Sequence, residues 1–305
     1  MAKLTVKDLG KILTLSFSEF KRNDPLRLAG ATAFFTTFAL PPILIILVQI
    51  IGTVFRIENL RDKFFIQIER IVGKQGATQV KVTFKGFTSL AENYLITAAG
   101  FIFLMFVATT LFKVIKDSLN QLWNVKITTE KSFKANIEKR AASIIVILIA
   151  GILLILGTVA ESLGGLLRHF TASELPKPTA NFLTTLVNQA ISILIATIWF
   201  AILFKVLPDA KASWKVVFTG GLFTGILFTA GKIIIGYVLS FGNLTNIFGA
   251  SSSFALLLLF VFYSSFILYY GACFTKVFAT FIKDPIKAGD YSTKYKMVET
   301  KSVET

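Results

Sequence analysis

One cysteine and one histidine in 305 residues exclude much of the chemistry that side chains can build. Cys273 has no partner, so the chain can hold no internal disulfide. His169 alone cannot assemble a tetrahedral zinc site or a His/Asp hydrolytic centre. No GxxxxGK[ST] phosphate loop, CxxC or HExxH is present, and Gly231-Lys232 lacks the rest of a phosphate-loop motif. The acids are scattered over polar stretches instead of being grouped as a two-metal site needs. Charge is also scarce: 16% of residues are charged, against about 25% in soluble domains. A cleavable leader is not expected either. The first 27 residues hold six Lys/Arg without an uninterrupted apolar core, and the first long apolar run is itself long enough to span. No enzyme, cofactor or metal is expected.

What the chain has in abundance is apolar surface. Hydrophobic residues make up 54%, with 31 Phe and a mean hydropathy of +0.70. A bilayer is crossed by about 20 residues of helix, and six runs meet that length: Leu28–Phe55, Tyr94–Val114, Ala142–Leu166, Phe182–Leu207, Trp214–Ser240 and Phe254–Ile282. The expected fold is an all-α polytopic membrane protein of six transmembrane helices, with amphipathic interfacial helices. Residues 1–27 form an N-terminal amphipathic, cytoplasmic segment. Within it Val6, Leu9, Leu13, Phe17 and Phe20 recur at helical spacing and point to a helix on the membrane surface. Asn23, Asp24 and Pro25 then break the chain. Residues 28–282 are the membrane domain. Its long polar connection, 56–93, reads as two amphipathic helices around a Gly73–Gly76 break, covering one mouth of the bundle or lying on the surface. Residues 283–305 read as a mobile cytoplasmic tail.

Six crossings put both termini on one side, and that side carries 22 Lys/Arg against nine on the other. The positive-inside rule therefore predicts cytoplasmic termini. A net charge of +15 would suit nucleic acid in a soluble protein; here it suits anchoring against anionic lipid, and no nucleic-acid partner is expected.

The fifth run carries the one charge that interrupts it, Lys232. Gly221, Gly225, Thr229 and Gly236 share its helical stripe, and Gly221/Gly225 form a GxxxG. Small residues let a neighbouring helix approach closely, so the stripe should face protein, within the chain or in a homo-oligomer. Lys232 either snorkels to the interface or belongs to a polar pathway. Glu161, near the end of the third run, is the other intramembrane charge. It lies at a similar depth and can pair with Lys232, as a static ion pair or as part of a binding site. Asn188 and Gln189, near the start of the fourth run, offer further donors. In the first run Pro41 and Pro42 remove two amide donors, which predicts a kink with Thr36 or Thr37 re-satisfying the backbone, or a feature that only shapes packing. Residues 241–253 are polar and uncharged, either a re-entrant segment or an ordinary outer loop.

Four stretches resemble the YihY/BrkB family of bacterial inner-membrane proteins: LAGATAFFTTFALPP (Leu28–Pro42), SLNQLW (Ser118–Trp123), LPDAKASWKVVFTGGLFTGILFTAGK (Leu207–Lys232) and FGASSSFALLLLFVFYSSFILYYGACFT (Phe248–Thr275). The resemblance implies six spans with cytoplasmic termini in the inner membrane. Cys273 stands where the family's GAE-like ending implies an acid. Members have been described as a ribonuclease, a serum-resistance factor and a participant in moving lipopolysaccharide precursors. The chain thus reads as a transporter or flippase-like protein for an anionic lipid or envelope precursor. The alternative is a scaffold that organises the envelope without a transported substrate, and a membrane-associated ribonuclease is the least favoured.

Overall fold

The computed structural model describes residues 5–55, 60–89, 94–128, 146, 148–153, 156–157, 177–241 and 252–296. These are helical apart from four very short strands: α1 (Val6–Arg22), α2 (Pro25–Phe55), α3 (Leu60–Ser89), α4 (Tyr94–Leu122), β1 (Val125–Ile127), α5 (Lys177–Val206), β2 (Ala210–Lys211), α6 (Trp214–Phe241), α7 (Ser252–Phe281), β3 (Lys287–Ala288) and β4 (Ser292–Lys294). Three of the described helices, α5, α6 and α7, are long and apolar enough to cross a membrane.

α7 is the hub, packed against α1, α2, α3, α4 and α6. α1 starts with a capping box, in which Asp8 accepts from the Thr5 amide at 2.9 Å and Thr5 Oγ1 accepts from the Asp8 amide at 3.4 Å. The helix ends at Asn23, Asp24 takes a φ of 50°, and Pro25 opens α2, as the Asn-Asp-Pro break predicts. α1 is docked on the bundle through one face. Ile12, Ser16 and Phe20 are buried, and Ile12 joins Phe274 and Phe278 of α7 in one cluster. Of the face that the periodicity picked out, Phe20 is buried and Leu13 half-buried, but Leu9 and Phe17 are 49% and 52% exposed, so the face that meets protein is a different one, centred on Ile12 and Ser16.

Gly73, at φ 80°, divides α3 into two arms. The rings of Phe65 and Phe84 sit 5.4 Å apart, although nineteen residues of straight helix would separate them by about 28 Å. α3 is therefore a helical hairpin, the two amphipathic helices expected from the pattern. Its buried face (Phe65, Ile68, Ala77, Val80, Phe84) packs with Leu257, Phe260 and Val261 of α7 and is not spread on a surface.

α2 begins, and α4 and α7 end, at one end of the bundle, where the α5–α6 turn also lies. Side chains there bridge Asn23 to Gln121, Asn120 to Asp209 and Ser213 to Asp284. This is the proximal end; the other is distal. Within the stretch expected as a mobile tail, residues 287–294 contribute two strands to the fold. β4 pairs antiparallel with β1, and β3 with β2. Short strands with distant partners carry no periodicity of their own, so a charged, polar segment conceals them.

Candidate functional site

The α6 stripe meets α5 backbone to backbone. A Cβ on Gly221 would lie 2.6 Å from the Thr197 carbonyl oxygen, and one on Gly225 would lie 3.0 Å from the Thr197 amide nitrogen. The GxxxG seam is thus filled within the chain and is not available to a second copy. Thr229 is buried, whereas Gly236 is exposed with open space where a Cβ would point, so the packed stripe ends before it.

Lys232 lies seven residues beyond Gly225, about two turns on and within about 20° of the same face. It is half-buried, with no hydrogen bond or ion pair among the described residues. One step of four along α6, from Gly221 to Gly225, moves the contact back from Thr197/Ala201 to Ile193/Thr197. Continuing that antiparallel register brings Lys232 level with Asn188 and Gln189. Gln189, one turn from Ile193, is half-buried on the inward stripe of α5. Asn188 is nine residues from Thr197, hence on the opposite side of the helix, and is exposed. Adjacent residues on a helix are about 100° apart, so the two amides do not act together at Lys232. Phe228 and Ile235, flanking Lys232, pack against the α3 cluster. Glu161 lies outside the described residues, as does all but the ends of 241–253.

A single stripe of α5 shows what kind of space Lys232 borders. Its proximal members Leu207, Leu203, Phe200 and Ala196 are buried. Its next members, Ile193 and Gln189, are half-buried, and exposure then rises to 56% at Leu186 and 67% at Phe182. α6 follows the same course: Val217, Gly221 and Gly225 are buried, Phe228 and Lys232 half-buried, and Gly236 exposed. Along these stripes exposure therefore rises from the proximal to the distal end, and Lys232 lies where the buried α5–α6 seam runs out.

On its other side α6 meets α7 through a reciprocal Gly-Thr crossing. A Cβ on Gly220 would strike Thr275 Oγ1 at 1.9 Å, and one on Gly271 would strike Thr224 Oγ1 at 1.9 Å. Each hydroxyl donates to the carbonyl four residues back in its own helix, at 2.7 Å. Farther along, Gly231 leaves room for the Tyr263 ring, whose hydroxyl donates to the Leu227 carbonyl at 3.0 Å. In α2 the helix is unbroken through Pro41 and Pro42. Thr37 Oγ1 donates to the Ala33 carbonyl at 2.8 Å, so it does not serve the carbonyls that those prolines leave free.

The profile of the virulence factor BrkB family matches residues 16–290. The chain belongs to that family. Relatives named UPF0761 membrane protein include one from Pseudomonas aeruginosa, 24% identical over 251 residues, covering 80% of this chain and 57% of the relative. Another, from Janthinobacterium sp., is 27% identical over 253 residues (82% and 55%), and one from Acinetobacter baylyi is 24% identical over 264 (85% and 60%). The chain therefore spans less than two thirds of the length of these relatives. No solved structure matches.

In this BrkB-family chain the four stretches that carried the resemblance meet at the proximal end. Thr32 of α2 shares a hydrogen bond with Tyr269 of α7 at 2.5 Å, and Ser118 of α4 also reaches the Tyr269 hydroxyl. Trp123 Nε1 donates to the Ala272 carbonyl at 3.0 Å. Asn120 Nδ2 donates to Asp209 Oδ2 at 2.9 Å, and the Asp209 amide donates back to Asn120 Oδ1 at 2.8 Å. Lys116 closes on the same carboxylate at 2.9 Å. These polar contacts surround a fully buried Trp123 and Tyr269. Sequence reasoning found the stretches but not their convergence, because nothing in one chain says which separated polar residues share a partner. Among the described residues no group of three or more His, Cys, Asp or Glu could hold a metal.

Proposed function

We propose that this protein is a six-span inner-membrane protein with both termini cytoplasmic, and that it binds and translocates an anionic lipid or lipid-linked envelope precursor through a cleft between the distal ends of α5 and α6. The exposure gradient toward a half-buried Lys232, unpaired among the described residues, carries the proposal. A cation at depth in a membrane faces protein or a wet hollow, because hydrocarbon does not solvate it. At the inner limit of a cleft walled by Leu186 and Phe182, it offers a phosphate or carboxylate head group an ion pair while acyl chains contact the apolar walls. Gln189 supplies a neutral donor at the same level. Six crossings accord with the connectivity: α4 ends proximally and α5 starts distally, which requires an odd number of crossings between them. The basic excess at the proximal end supports its cytoplasmic position. No bond is made or broken in this action, so no catalytic residue is assigned.

The test is flux in vesicles reconstituted with the purified protein and labelled anionic or zwitterionic lipid. Lys232→Met should lower anionic flux at least ten-fold without lowering membrane abundance, and Lys232→Arg should keep most of it. Equal flux of both lipids, or full activity in Lys232→Met, would remove Lys232 from the path and favour a scaffold without substrate.

A further inference from the structure

The α3 hairpin carries its charge at a depth where lipid cannot take it. It lies in sequence between the distal end of α2 and the distal start of α4. Three neighbours fix its level. On α7 its partners are Leu257, Phe260 and Val261, and the Phe260 ring meets that of Phe228 at 6.1 Å. Phe228 is fourteen residues past Trp214, about 21 Å along α6 from its proximal start. Leu40, packed on the same cluster, is fifteen residues past Pro25, about 22 Å along α2. In the third apolar run, a Cβ on Gly157 would lie 3.1 Å from Gln67 Oε1 of the hairpin, and Gly157 is fifteen residues past Ala142, again about 22 Å. A hydrocarbon core is about 30 Å thick, so the buried face of the hairpin lies about 8 Å inside its distal boundary. Helix tilt only carries that level nearer the midplane.

The opposite face is basic. Lys63 and Arg70 on one arm, and Lys74, Lys81 and Lys85 on the other, are exposed at helical spacing, with Asp62 as an exposed acid and Glu69 half-buried. Lys81 reaches across the arms, its ammonium 5.5 Å from the centre of the Phe65 ring. Ile66 and Val82 share the face at 48% and 59% exposure, and Thr78 sits exposed in the middle of the lysine stripe. Hydrocarbon does not hold a row of cations. Snorkelling lifts an ammonium toward the head groups, but it leaves the short side chains between the lysines among acyl chains.

We infer that the outer face of the α3 hairpin walls a water-filled vestibule open at the distal face, where its lysines receive the phosphate of an anionic lipid head group while Ile66 and Val82 contact the acyl stem. Apolar positions beside the cations suit a lipid, whereas free phosphate has no use for them. The inference rests on the six-span reading and deepens the proposed cleft, because Phe228 and Ile235, on either side of Lys232, pack on the same α3–α7 cluster.

Cys273 is the sole cysteine and is buried, so a Cys273→Ala background takes one reporter thiol. Thr78→Cys sets it on the lysine stripe. Phe106→Cys sets it at matching depth, about 24 Å from the proximal end of α4, on an apolar site that is 65% exposed. In nanodiscs of zwitterionic lipid, an anionic methanethiosulfonate should label Thr78→Cys at least ten-fold faster than Phe106→Cys. It should also outpace the cationic reagent, once each is scaled to its rate with a free thiol, and Lys74→Gln with Lys81→Gln should abolish that preference. A short-chain phosphatidylglycerol below its micellar concentration should slow labelling of Thr78→Cys at least three-fold, and the matching phosphatidylcholine or inorganic phosphate should not. Labelling of Thr78→Cys as slow as that of Phe106→Cys overturns the vestibule and leaves snorkelling. Fast labelling without charge preference overturns the basic wall, and equal protection by both lipids, or protection by inorganic phosphate, overturns the lipid head group as occupant. If every arm behaves as expected while Lys232→Met retains flux, the vestibule stands and the choice of Lys232 falls.

Discussion

The two ends of the α5–α6 pair are built on opposite principles. Proximally, side chains interlock, aromatic rings are fully buried and polar contacts tie the turn to α4 and to the chain's C-terminal strands. Distally, the same stripes run out of neighbours within two or three turns. The contrast shows where stability is held and where it is withheld: the closed end carries the packing and hydrogen bonds, and the open end leaves room for something else.

The sharpest way to break that comparison is to delete one large side chain at each end. Trp123 is completely buried and its indole N–H is satisfied, so Trp123→Ala should cost about 3–5 kcal/mol. Phe182→Ala, at the open end, should stay within about 0.5 kcal/mol. Thermal unfolding of both variants in one detergent measures the difference, and equal losses would deny it. A smaller effect separates two glycines of one stripe. Gly221→Ala sets a methyl 2.6 Å from a backbone oxygen that cannot step aside, and should cost about 1–3 kcal/mol. Gly236→Ala meets open space and should be neutral or slightly stabilising through helix propensity. If the two behave alike, the seam does not end where the structure ends it.

The least effect belongs to the α1 cap. The Thr5 hydrogen bonds hold the Asp8 carboxyl below its usual 3.8. A depressed carboxylate stabilises the folded form above that value and ceases to do so as pH falls through and below it. Amide protection at the start of α1, measured against the intrinsic exchange rate, should therefore fall selectively on acidification below about pH 4, and Asp8→Asn should remove the dependence.

Much of the architecture was legible before any coordinates. Asn23-Asp24-Pro25 and Gly73 broke the chain where backbone geometry demanded it, and the Gly221–Lys232 stripe described a contact surface by residue size alone. Partnership was not legible. The α1 periodicity picked out Leu9 and Phe17, which stay exposed, and passed over Ile12, which packs against α7. Asn188 and Gln189, neighbours in sequence, stand on different sides of α5, and only the register with α6 reveals which of them looks toward Lys232. β3 and β4 escaped because two or three residues cannot declare a strand when their partners lie far earlier in the chain, Lys211 for Lys287 and Val125 for Lys294. The notch that Gly231 opens for Tyr263 was hidden for the same reason.

The reciprocal Gly-Thr crossing between α6 and α7 has a consequence for assembly. Because each threonine satisfies itself on its own helix, adhesion there owes nothing to hydrogen bonds across the gap and everything to contour. Neither water, detergent nor lipid head groups can compete for it. Those two segments can therefore join as soon as both are inserted, and they supply the wall against which α5 packs through Gly221 and Gly225.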